Sequence, residues 1–158
     1  MDERDIERAV AAVLADMRPQ REQQGTDITL AQALELAAAI RVKAAQIGVN
    51  AVVSISDSAC RPVLTECMDG YLPAAYDIAV NKAYTVTALR MATSQLKKLA
   101  QPGGSLYGIQ HTNGGRIVIF GGGEPLTKNG SLAGGLGVSG GTEEQDTFLA
   151  EYGKGLFK

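Results

Sequence analysis

Fourteen of the 19 glycines in this 158-residue chain fall between Gly103 and Gly141, a density that rules out a long helix in that segment. Strands and turns are what it can form. Within it, Arg116 to Phe120 and Ser131 to Ser139 read as strands, with Lys128-Asn129-Gly130 as the turn between them. Small residues allow a strand to approach another surface closely, and Gly140-Gly141 supplies backbone freedom just before a helix. Thr142-Glu143-Glu144-Gln145 is a capping box with acids in the first turn, where the helix dipole favours them. Phe148, Leu149, Tyr152 and Leu156 are the expected anchors of the helix that follows.

The segment before the glycines is patterned differently. Thr29-Leu30-Ala31-Gln32 is a capping box, opening a helix that runs to Ile47 and ends at Gly48. Ala51 to Asp57 and Val63 to Met68 are rich in β-branched residues and flank a turn, which predicts a hairpin. Pro73 suits a first helical position, and Tyr76, Ala79, Val80, Ala83, Val86 and Leu89 follow a helical period to about Arg90. Thr93 is placed to cap a shorter helix through Leu99. The order of helix, two strands, helices, two strands and helix does not alternate as βαβ units do. It predicts an α+β fold, an antiparallel sheet flanked by helices.

Residues 1–17 form a separate unit in the sequence. Ile6, Ala9, Val10, Val13, Leu14 and Met17 recur at three- and four-residue spacing, while Asp2, Glu3, Arg4, Asp5, Glu7, Arg8 and Asp16 cover the other faces. This is an amphipathic helix in need of a partner. Residues 18–27 have no apolar period and contain Pro19, which predicts a linker, with the domain proper at 28–158.

Acids and bases are interspersed at a formal net charge of -2, which leaves no electrostatic footprint for nucleic acid. No apolar run approaches the roughly 20 residues of a membrane span, and the acidic start lacks the pattern of a signal peptide. A cytoplasmic protein without a membrane role is the expectation, with Cys60 and Cys67 reduced and buried or half-buried.

Gly135-Leu136-Gly137-Val138-Ser139-Gly140 matches the dinucleotide string G-x-G-x-x-G. The full fingerprint needs a parallel strand after the helix and an acidic residue about 20 positions on, and the sequence offers neither. A helix start after glycines also exposes N–H groups, so Ser139 to Thr142 could hold a carboxylate or phosphate, the alternative being plain capping.

From Thr29 onward the chain resembles the GlcG/HbpS-like family of heme-binding proteins, which includes the C-terminal domain of PduO adenosyltransferases. The resemblance is carried by Met68-Asp69-Gly70, by Ile78 to Thr85, by Gln101 to Gly108, by Asn113 to Leu126 and by Gly137 to Asp146. It implies a profilin-like α+β domain, assembly into homo-oligomers and, as in several members, heme binding. Family members commonly carry glycines in the first hairpin turn, where this chain has Ser58-Ala59-Cys60-Arg61-Pro62. Residues 1–17 and the linker are similar to the encapsulation peptides that send enzymes into bacterial microcompartments. That likeness implies shell or cargo proteins as partners and the compartment lumen as the location.

Heme requires an apolar slot, partners for its propionates and often an axial ligand. His111, the sole histidine, is the expected axial and metal ligand, with Tyr107, Met68 and Met91 as alternatives. Lys82 and Arg90, eight apart on one helix, could pair with propionates or simply form a solvated face. The catalytic inventory is poor, with Asp57, Glu66, Asp69 and Glu124 as possible acid–base groups only if the fold unites them. The expected role is therefore a heme-binding accessory protein of a microcompartment. The rivals are a small enzyme acting on a hydroxy acid or aldehyde and a cobalamin-handling accessory.

Overall fold

A computed structural model of the chain describes residues 4, 5, 7, 8 and 25–158. Arg4, Asp5, Glu7 and Arg8 are helical and exposed, while Ile6, Ala9, Val10, Val13, Leu14 and Met17 lie outside the described residues. The domain begins where Ile28 is buried and donates its N–H to Ala133 O at 2.9 Å. In chain order the elements are α1 (Leu30–Gln46), β1 (Val52–Asp57), β2 (Pro62–Cys67), α2 (Pro73–Leu89), α3 (Thr93–Leu99), β3 (Gly123–Lys128), β4 (Ser131–Ser139) and α4 (Glu143–Leu156). Two single 3-10 turns, Ile109–His111 and Asn113–Gly115, interrupt the connection from α3 to β3.

The sheet is antiparallel throughout, in the order β2-β1-β4-β3. Side chains alternate across it. Val53, Ile55, Leu126, Leu136 and Val138 face one layer, built from Leu36, Ala37 and Ile40 of α1 and Leu149 and Ala150 of α4. Val52 faces the other, against Ala75 and Ala79 of α2. This is the expected α+β arrangement, with α1 and α4 on one face and α2, flanked by α3, on the other.

The glycines of β4 set the distance between α2 and the sheet. A Cβ on Gly137 would lie 2.1 Å from Ala79 O and 2.6 Å from Ala83 N, and one on Gly135 would lie 2.4 Å from Ala83 O. The helix backbone therefore rests directly on the strand. Polar groups trapped in the seam are satisfied locally, since Ser56 Oγ and Thr87 Oγ1 are 2.9 Å apart and Thr87 Oγ1 also donates to Ala83 O.

Both capping boxes form as expected, on Thr29 with Gln32 and on Thr142 with Gln145. The first hairpin also forms, and its turn is organised by Asp57. Its Oδ1 accepts from the N–H groups of Ala59 and Arg61, while Cys60 takes φ +64 between them.

Three expectations need correction. Arg116 to Phe120 is not a strand; β3 starts at Gly123. The Val118 N–H is taken by Thr85 Oγ1 on α2 and the Gly121 N–H by Glu143 Oε1, so this run follows side chains instead of a neighbouring strand. Pairing begins at Gly123, where an added Cβ would press 2.8–2.9 Å from Thr93 and Val86. Thr93 is the first residue of α3 and not its cap, because its Oγ1 accepts from the Gly123 N–H and Ala92 takes the capping position. In α4, Leu149 is the buried anchor expected of it, but Phe148 and Leu156 are exposed, and Ala150 and Gly153 are buried in their place. Lys43 Nζ lies 5.6 Å from the Phe148 ring centroid and 5.5 Å from that of Tyr152. Of the two thiols, Cys60 is half-buried, Cys67 is exposed, and neither forms a disulfide.

Candidate functional site

The long connection between α3 and β3 is pinned to α2 by a short chain of polar contacts. Thr112 Oγ1 donates to Asn113 Oδ1 at 2.9 Å, Asn113 Nδ2 donates to the Tyr84 hydroxyl at 3.1 Å, and the Arg116 guanidinium stacks 3.7 Å from the Tyr84 ring centroid. A cation over an aromatic face is held with little loss of hydration. His111 sits one residue before this anchor, exposed, with its backbone N–H bonded to Gly108 O. Tyr107 is 66% exposed. The neighbouring Gln110 Oε1 is buried with no partner among the described residues, which leaves an acceptor awaiting a donor. Sequence reasoning singled out His111 and Tyr107 as candidates and did not consider Arg116 or Gln110. The aromatic at Tyr84 was the available signal for Arg116.

Lys82 and Arg90 part company. Arg90 is exposed just past α2 in the left-handed region, at φ 54. Lys82 is fully buried, and neither the solvated face nor the propionate role expected of it is available. Its ammonium donates to Asp146 Oδ2 and to Val138 O, both at 2.8 Å, and lies 5.0 Å from the Phe120 ring centroid. Burial pushes the Lys82 pKa below its ordinary value, against the pull of Asp146 and Glu143. Burial likewise pushes Asp146 up, against Lys82 and the Gly141 N–H. Gly122, at φ +105, makes room for this pair, since a Cβ there would meet Lys82 Nζ at 2.5 Å.

Above the pair lies a groove of ≈ 260 Å³ between the start of α2 and the start of α4. Leu72, Ala75, Ile78 and Phe120 form its walls, and Ser139, Glu143 and Asp146 its polar end. Anion binding at Ser139 to Thr142 does not fit what is seen. Asp146 Oδ1 occupies the Gly141 N–H, Gln145 Oε1 the Thr142 N–H and Thr142 Oγ1 the Gln145 N–H. Capping is what these residues do.

The acid–base candidates do not unite. Asp57 holds its turn, Glu124 pairs with Lys154 at 2.7 Å and Glu66 pairs with Arg41 at 2.8 Å. Only Glu66 and Asp69 share a surface depression, together with Arg41 and Cys67. Met68 Sδ accepts from the Ala51 N–H at 3.3 Å and is thereby engaged, while Met91 is half-buried in the bend before α3.

The fit of these residues to heme can be tested on the donor sets alone. The groove contains no His, Cys, Met or Tyr and so lacks an axial ligand. The connection offers an exposed imidazole, an exposed phenol and an exposed guanidinium, the groups suited to iron and to propionates. The connection carries the donor types that heme calls for, and the groove does not.

Comparison with known proteins places the chain. It is 48% identical over 131 residues to an uncharacterized 15.0 kDa protein in the dhaT-dhaS intergenic region of Citrobacter freundii, covering 83% of this chain and 92% of that protein. It is 37% identical over 140 residues to the corrinoid adenosyltransferase PduO of Salmonella typhimurium, covering 87% of this chain but only 42% of PduO. The crystal structure of a PduOC:heme complex superimposes with a TM-score of 0.79 at 36% identity, covering 82% of this chain and 94% of that one. Residues 28–154 match the family model described as haem degrading protein HbpS-like, and the chain belongs to that HbpS-like family.

Proposed function

We propose that this chain binds heme through the connection between α3 and β3, with His111 as axial ligand, Tyr107 beside it and Arg116 as propionate partner. The exposed His111 next to a loop locked onto Tyr84 carries the reading, and the solved PduOC:heme complex supports it. When bound, heme supplies iron-centred redox chemistry. The protein's part is to present an imidazole on a loop anchored to Tyr84 and a cation stacked on the same ring. One chain leaves His111 and Tyr107 exposed, so we read the protein as a homo-oligomer in which a second copy covers the loop. Residues 1–17 then act as the tag that brings the assembly into a microcompartment by docking on shell or cargo proteins. The spacing of Ile6, Ala9, Val10, Val13, Leu14 and Met17 supports that role.

Titration of the purified protein with hemin tests the cofactor. A saturable Soret band is expected, with its position and intensity changed in His111→Ala. No saturation overturns heme binding, and an unchanged spectrum in the variant removes His111. Fusion of residues 1–25 to a fluorescent protein tests the tag: puncta are expected in compartment-forming cells, and diffuse signal overturns it.

A further inference from the structure

The groove beside Phe120 plays no part in the heme reading, yet it has the features of a small-molecule site. Its walls are apolar, and Ile78 and Phe120 keep part of their surface accessible within it. At its polar end Ser139 is only 4% exposed as a residue, yet its hydroxyl is not sealed off and makes no hydrogen bond to the described residues. A hydroxyl that is open to the groove and bonded to nothing in the protein is free to pair with a ligand atom.

The charges around it narrow the ligand. No lysine or arginine lines the groove, which leaves nothing to neutralise a carboxylate or phosphate. Its two carboxylates are already engaged, Glu143 by Lys97 and the Gly121 N–H, Asp146 by Lys82 and the Gly141 N–H. Neither anion nor cation finds a free counter-charge. The ≈ 260 Å³ corresponds to about eight or nine waters at roughly 30 Å³ each, room for a compact molecule but too little for a macrocycle.

We propose that this groove binds a small neutral molecule with a hydroxyl or carbonyl group at one end, the Ser139 hydroxyl pairing with that group while Ile78 and Phe120 hold its apolar body. Short-chain alcohols and aldehydes are the matching class.

The test uses heme-free full-length protein and amide NMR shifts, with 1-butanol, butyrate and butylammonium as probes. Saturable shifts at Phe120, Ser139, Gly140 and Gly141 are expected with 1-butanol alone. Ser139→Ala is expected to weaken 1-butanol binding about 2- to 12-fold, the range of one neutral hydrogen bond. Ile78→Trp, which fills the groove, abolishes it while the spectrum stays dispersed. Binding of butyrate or butylammonium as strong as that of 1-butanol, shifts elsewhere, no shifts, or an unaffected Ser139→Ala each overturn the proposal. Hemin uptake is read separately on the same variants. Protein that takes up hemin but ignores 1-butanol sinks only this proposal, and the reverse sinks only the heme reading.

Discussion

Lys82 Nζ and Asp146 Oδ2 meet at 2.8 Å with the lysine side chain wholly sealed from solvent, joining the middle of α2 to the first turns of α4. Removing one partner of such a pair strands a buried charge, at a cost of about 3–5 kcal/mol. Lys82→Met is expected to lose about that much stability, measured by urea denaturation. Adding Asp146→Leu should recover most of it, because a matched apolar pair carries no desolvation penalty. A single variant as stable as the wild type would contradict this account.

Glu143 gives the chain an acid-sensitive contact. The Lys97 ammonium and the Gly121 N–H hold its carboxyl below the usual 4.5. A carboxylate depressed in the folded state adds stability above its unfolded pKa, and that stability drains away as pH falls through the folded value. The gap in melting temperature between wild type and Glu143→Gln should therefore be full above about pH 5 and close progressively below 4.5. A gap that stays constant with pH would show that the contact adds nothing through ionisation.

Two glycines should respond oppositely to alanine. At Gly137 the new methyl meets Ala79 O and Ala83 N of α2, so Gly137→Ala is expected to cost about 1–3 kcal/mol or more by forcing the helix off the sheet. At Gly155, inside α4 with no atom within 4 Å of the added carbon, Gly155→Ala should gain about 0.5–1 kcal/mol. Denaturant midpoints of the two variants decide both.

Arg116→Ala leaves His111 in place but removes the cation stacked on Tyr84. If Arg116 holds a propionate, hemin affinity should fall about 10-fold or more, the scale of a charge-assisted hydrogen bond, with the Soret position unchanged. A shifted Soret band would instead mean that the variant disturbs His111.

What could be read from the sequence follows the range of each interaction. The capping boxes at Thr29 and Thr142 are four-residue statements and were legible in full. So were β4 and, within a residue, the first hairpin, whose patterns are local. Ile117-Val118-Ile119 misleads because β-branched residues announce a strand, whereas pairing depends on a neighbour the sequence cannot display. The burial of Lys82 was hidden for a similar reason, as its partner lies 64 positions away and a lone lysine on a helix resembles any solvated one. Ser139 was legible only as part of a possible anion-holding helix start, because Phe120 and Ile78, which line the groove with it, come from other elements.

The first hairpin turn keeps a positive φ at Cys60 without a glycine, because one carboxylate oxygen of Asp57 gathers the amides of Ala59 and Arg61 around it. Loop grafts and reporter insertions between Ser58 and Cys60 should accordingly succeed or fail with Asp57. The side chains at Ser58 and Ala59 are open to change so long as their backbone N–H groups remain.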